Sequence, residues 1–179
     1  MRLRSGQAAP DFRVKDVFGR DIILDEYRGS KVMLSFYRFS ACPFCNLRVN
    51  KLMNLTARYE SQGLKMLSFW QSPKESVLAH AKRRNPPFPM IADPTKEIYS
   101  LYRVENDWKG AMKVVLEPSL AMDAMKEGIH VKHIDGDKDL IPADFLLHPD
   151  LSIHTAFYGK HIGDHVPFER IEDFITMND

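Results

Sequence analysis

The residues best able to do chemistry are the chain's only two cysteines, in Cys42-Pro43-Phe44-Cys45. A C-x-x-C pair near a βαβ pattern reads as a dithiol redox motif. An apolar run, Val32 to Tyr37, leads into it and reads as a buried strand. A helical pattern from about Pro43 to Tyr59 leads out, which puts the pair on a strand-to-helix loop. Free N–H groups and the positive dipole end of a helix favour an anion there. A thiolate is such an anion, and a helix N-terminus can lower a cysteine pKa from about 8.5 to roughly 3.5–7.5. The competing reading is half of a zinc site, but zinc asks for three or four protein ligands and there is no second cysteine pair. The motif therefore calls for neither metal nor cofactor.

In the helix after the loop, Cys45, Val49, Leu52 and Met53 fall on one stripe. Cys45 should point inward, and Cys42, ahead of the helix, should be the more exposed sulfur. Arg38 and Arg48 are the nearest cations by sequence, able to hold a thiolate or simply to charge the surface.

The elements that must position this loop follow the chain. Two short apolar pieces around Phe18-Gly19-Arg20 form a hairpin. After the cysteine helix, closed by Gly63, Leu64–Trp70 is a strand. Ser72-Pro73-Lys74-Glu75 reads as a capping box for a helix running to about Arg84. A short strand ends at Ala92, and Asp93-Pro94 caps another helix. Residues 107–129 are strongly apolar and are split at Pro118 into an expected helical pair. That pair covers the domain's own core, or else offers a methionine-rich face to a substrate or a second copy in a homodimer. Gly136-Asp137-Lys138 is a turn. Ile141–Leu147 and Leu151–Tyr158 form a hairpin about His148-Pro149-Asp150, and Pro167 starts a last helix. His161 and His165 flank Gly163 in a loop rather than on a helix. Tyr37 and Trp70 end adjacent strands, where open α/β sheets place ligands, though core packing is the competing role.

The chain has 179 residues and a formal net charge of +1, enough for one domain and without a nucleic-acid surface. No apolar run suits a membrane span, and the first residues lack the apolar core of a secretory signal. A reducing cytoplasm is the expected setting, where paired cysteines tend to do chemistry rather than hold a fold together.

The order of elements resembles a thioredoxin-like α/β fold: a central mixed sheet flanked by helices, with an N-terminal β-hairpin. Residues 1–179 then form a single domain with a helical insertion at about 105–130. Ala9-Pro10-Asp11-Phe12, Gly19, Arg28-Gly29 and Phe36-Tyr37 resemble the peroxiredoxin-like AhpC/TSA proteins. That group's P-x-x-x-T-x-x-C pattern, aligned on Cys45, meets Arg38 in place of Pro and Cys42 in place of Thr. Its later catalytic arginine meets Pro142-Ala143. The C-P-F-C motif is instead similar to dithiol oxidoreductases, and Ile141-Pro142 resembles their cis-proline beside the cysteines. The resemblance implies catalytic roles for Cys42, Cys45, Pro142 and Arg38. Cys42 would attack a disulfide and Cys45 would resolve it, with a thioredoxin- or glutathione-like thiol as reductant. The alternatives are a thiol peroxidase in which Cys45 attacks peroxide, and a non-enzymatic redox sensor or binding module.

Overall fold

A computed structural model of the chain describes residues 1–113, 118–119, 122 and 134–177. Its centre is a five-stranded mixed sheet in the order β5-β4-β3-β6-β7. The strands are β3 (Lys31–Tyr37), β4 (Leu64–Trp70), β5 (Met90–Ala92), β6 (Ala143–Leu147) and β7 (Ile153–Tyr158). β3, β4 and β5 run parallel, and β6 and β7 return antiparallel. A separate hairpin of β1 (Arg13–Lys15) and β2 (Asp21–Ile23) precedes them.

Every residue of β3 is buried, as expected of a central strand covered on both faces. Alternate side chains go to opposite cores. Met33 and Tyr37 join one core with Cys42, Cys45, Val49, Leu52, Trp70 and Phe174. Val32, Leu34 and Phe36 join the other with Phe69, Tyr102 and Phe145. In that second core Phe36 stacks on Phe69 at 4.7 Å and meets Phe145 edge-on at 5.8 Å. Each such pair adds about 0.5–1.5 kcal/mol beyond area burial.

The helices are α1 (Pro43–Ser61), α2 (Lys74–Arg84), α3 (Glu97–Leu101), α4 (Trp108–Met112) and, renumbered in chain order, α5 (Phe168–Thr176). α1 lays Cys45, Val49 and Leu52 on the first core, and α5 adds Ile171 and Phe174 there. Gly63 follows α1 at φ +88°, a left-handed conformation that glycine adopts without steric cost. Lys96, not Asp93, holds the N-cap position of α3, but the Asp93 carboxylate reaches forward to accept from the N–H groups of Glu97 and Ile98 at 3.0 and 2.8 Å. The helical pair expected around Pro118 lies largely outside the described residues.

The expected capping box at α2 does not form. Pro73 occupies the cap position and no side chain caps the helix. The Ser72 hydroxyl is used elsewhere: it accepts from Ser40 N–H at 2.7 Å and donates to Asp135 at 2.6 Å. No helix among the described residues is long and apolar enough to cross a membrane.

Candidate active site

β3 delivers the chain to the cysteine loop at the carboxyl edge of the sheet. Cys42 is the N-cap residue of α1, with φ −65° and ψ 120°, and Pro43 follows inside the first turn. Proline suits that position because it has no N–H to leave unpaired. Cys42 N–H donates to Phe39 C=O at 2.9 Å. The Asn46 side-chain amide donates to both Ser40 C=O and Cys42 C=O, at 2.9 and 2.8 Å. The loop is thus clamped from within and tied to Ser72.

Arg38 turns inward and is 4 % exposed. Its Nη1 donates to Cys42 Sγ at 3.3 Å, while Nη2 donates to Lys138 C=O. The cation therefore bridges the sulfur and a segment 100 positions later. Arg48, the other cation near the motif, faces away: it donates to Val166 C=O at 2.7 Å and lies 3.9 Å over the Phe168 ring.

Both sulfurs are fully buried, which corrects the expectation of an exposed Cys42. Cys42 sits in the core with Phe39 and Trp70, and residues 135–139 pack on the loop around it. Gln71 and Asp137 exchange two hydrogen bonds, each 3.0 Å. The Asp137 carboxylate also accepts from Lys96, and from Asn106 at 2.9 Å. Gly136 fits so closely that a Cβ there would lie 2.9 Å from Gln71 Cδ and 3.1 Å from Phe39 Cβ. This segment packs on the loop that a helix-stripe argument leaves open.

Burial by itself raises the Cys42 pKa, but the hydrogen bond with Cys45 and the Arg38 charge outweigh it and bring it below the ordinary thiol range. Cys45 moves the other way: burial pushes its thiol well above that range, and the neighbouring Cys42 sulfur adds to the shift. The two thiols are therefore inequivalent, with Cys42 the more acidic.

Tyr37 and Trp70 stack at 4.7 Å and are fully buried in the same core as the pair, so both pack the core. The Ile141–Pro142 bond is trans, against the expected cis bond. Pro142 C=O accepts from Gly159 N–H at 2.9 Å and Ile141 N–H donates to Glu105 C=O at 3.3 Å. These bonds hold the segment as an extended lead into β6. Pro142 is buried one residue before the register pair Phe36–Ala143, at the sheet edge where β3 enters the cysteine loop.

Sequence reasoning missed a second buried polar cluster. Asp144, on β6 opposite Ser35 in register, is fully buried. It accepts from Ser35 Oγ at 2.7 Å, from Val166 N–H at 2.9 Å, and pairs with His165 Nδ1 at 3.0 Å. Burial would raise its pKa; the charge and hydrogen bond of His165 hold it below the usual carboxylate value. The only sequence signal was an acid entering an apolar strand. Among the described residues no group of three metal-ligating side chains is assembled.

The profile of the AhpC/TSA family matches residues 5–125, more than half of the chain. The chain belongs to the AhpC/TSA family. A Mycobacterium tuberculosis protein that bears a peroxiredoxin name is 25 % identical over 101 residues, 56 % of this chain and 64 % of that one. This chain thus matches a little under two thirds of that relative's length. The thiol-disulfide oxidoreductase ResA of Geobacillus thermodenitrificans is 28 % identical over 130 residues, 68 % of this chain and 74 % of the relative. The fold is similar to that of peroxiredoxin 6 of Arenicola marina, with a TM-score of 0.72 at 15 % identity over 97 % of this chain and 72 % of that one. It is also similar to peroxidoxin BcpB of Mycobacterium tuberculosis, with a TM-score of 0.66 at 13 % identity over 88 % of this chain and 86 % of that one. The fold of this AhpC/TSA member is the thioredoxin-like fold expected from its element order.

Proposed function

We propose that this chain is a thiol-disulfide oxidoreductase cycling Cys42 and Cys45 between dithiol and disulfide. The observation that carries the reading is the Arg38 guanidinium donating to Cys42 Sγ at 3.3 Å. A thiolate is the attacking species in such exchange. Cys42 attacks one sulfur of a substrate disulfide, and the other sulfur leaves as a thiolate that takes up a proton. Cys45 then loses its proton and attacks Cys42 of the mixed disulfide. The substrate's second sulfur leaves, and the protein keeps the Cys42–Cys45 bond. Two electrons have passed to the substrate, and a protein or small-molecule thiol returns them.

Arg38 stabilises the Cys42 thiolate in this scheme. Pro142, buried at the start of β6, shapes the sheet edge beside the loop without offering an N–H. The reading takes residues 1–179 as one such domain in the cytoplasm, with the segment at about 105–130 as an insertion able to serve a homodimer.

The peroxidase reading with Cys45 as the attacking residue is weaker, because burial and Cys42 both keep the Cys45 thiol protonated. Parallel rate measurements test the choice, with a small disulfide and with hydrogen peroxide as alternative substrates of the reduced protein. Disulfide reduction faster than peroxide reduction, abolished in Cys42→Ser, is expected. Faster peroxide turnover that survives Cys42→Ser would move the attack to Cys45, and negligible rates with both would favour a sensor or binding module. The oxidised protein should carry a reversible intramolecular disulfide with a potential on the order of −200 to −270 mV.

A further inference from the structure

A groove of about 350 Å³ opens between α1 and the segment that leads into α5. Phe44, Arg48 and Lys51 line it from α1, and His161, His165 and Phe168 line it from the other side. It is within the size range of small-molecule sites, about 300–1,000 Å³. Two of its lining side chains have a buried polar atom without a hydrogen-bond partner among the described residues: Arg48 Nε and His165 Nε2. Arg48 is 8 % exposed and the His165 side chain 4 %. The two atoms are among six of this kind in the described residues and are the two that belong to groove-lining side chains; such an atom calls for a bound partner or water.

The chemistry of the two atoms is specific. Arg48 Nε is a donor on a permanent cation, and exposed Lys51 adds a second positive charge nearby. Asp164 also lines the groove, but its Oδ2 accepts from Lys160 N–H at 2.7 Å. His165 has committed Nδ1 to Asp144. Its Nε2 then accepts an N–H when the ring is neutral and donates to an anion when it is charged. A carboxylate with an amide or amine N–H close by satisfies both positions. That is the end of an amino acid or short peptide, and Phe44 and Phe168 offer walls to its aliphatic part.

Phe44, which lies between the two cysteines in sequence, lines the groove. We propose that this groove binds the carboxylate end of a small peptide thiol or disulfide, and so selects the partner of the dithiol. The selection step rests on the oxidoreductase reading above, whereas the binding step does not.

S-methylglutathione is a suitable probe: it carries peptide carboxylates and a sulfur that cannot exchange. Titration into the ¹⁵N-labelled full chain should shift amide signals at 44–51 and 161–168 saturably. The Cys42→Ser variant should bind the probe equally well. Arg48→Met should weaken binding about tenfold or more, as loss of a charge-assisted hydrogen bond implies. Lys51→Ala, an exposed change that leaves the core intact, should weaken it by a smaller factor. The dimethyl ester of the probe should not bind, and inorganic phosphate should not displace the probe. Saturable shifts elsewhere only, no saturable shift, unchanged affinity in both variants, equal binding of the ester, or displacement by phosphate each overturn the proposal. If disulfide exchange is absent while the probe still binds Cys42→Ser at these residues, the oxidoreductase reading fails and the binding site stands.

Discussion

Arg38 Nη1 donates to the sulfur of Cys42 at 3.3 Å, with both side chains buried in the core beside the sheet edge. A cation there does two things at once. It favours the charged form of the acidic thiol, and through Nη2 it ties the sulfur to Lys138 C=O in the segment 135–139.

Replacing Arg38 by Met should therefore raise the Cys42 titration midpoint toward the ordinary thiol value of about 8.5. Cys45→Ala should also raise it, since the hydrogen bond with Cys45 is the larger of the two effects that lower it. Ultraviolet thiolate absorbance against pH measures both. An unchanged midpoint in Arg38→Met would remove the guanidinium from the reactive centre.

The segment 135–139, packed on Phe39 and hydrogen-bonded to Arg38, should control access. Asp137→Ala removes the carboxylate that accepts from Lys96 and Asn106. A loss of one to two kcal/mol from the closed state multiplies the open population by roughly 5–30. Reaction of native protein with an aromatic disulfide reagent should accelerate by about that factor. A rate equal to wild type would mean that Cys42 becomes accessible by another route.

Asp144 should carry stability rather than chemistry. Asp144→Ala leaves His165, Ser35 and Val166 N–H without their shared acceptor, and breaking such a buried network costs about 3–5 kcal/mol. Its folded pKa is depressed below 3.8. Its contribution is therefore present above about pH 4 and is lost as pH falls through the folded value. Urea midpoints of wild type and variant should differ at pH 7, and the difference should begin to shrink only as pH falls below about 4.

His80 should make the fold weaken in mild acid. Burial, helped by Arg84 and Arg83, lowers its pKa from 6.5 to about 4. Between those values the unfolded chain binds a proton that the folded chain refuses. Stability is then complete above about pH 6.5 and falls as pH drops toward 4, by an amount on the order of 2–3 kcal/mol. His80→Gln should flatten that window in denaturant titrations. A slope unchanged by the substitution would assign the loss to other groups.

The placement of the dithiol was legible in the sequence because its causes are local. An apolar β run ends at Tyr37, proline sits in the first helical turn, and the stripe Cys45, Val49, Leu52 sets which face α1 buries. Each is a contact or a preference within a few residues, and each survives in the fold. The hairpin of β6 and β7 was legible for the same reason.

The state of the sulfurs was not. Cys42 is fully buried in a core built from distant strands and helices, and the Arg38 that faces it also donates to Lys138 C=O, 100 positions down the chain. Ser72 reads as a helix cap by local rule, yet its hydroxyl joins Ser40 to Asp135. Asp144 finds Ser35 across 109 positions, and His165 across 21. Sequence by itself determined which groups could react, since residue type and short spacing set their chemistry and their helix or strand. Only the tertiary structure decided which thiol is acidic, what covers it and which cation faces it, because burial and charge–charge distance depend on segments that meet only when the chain folds.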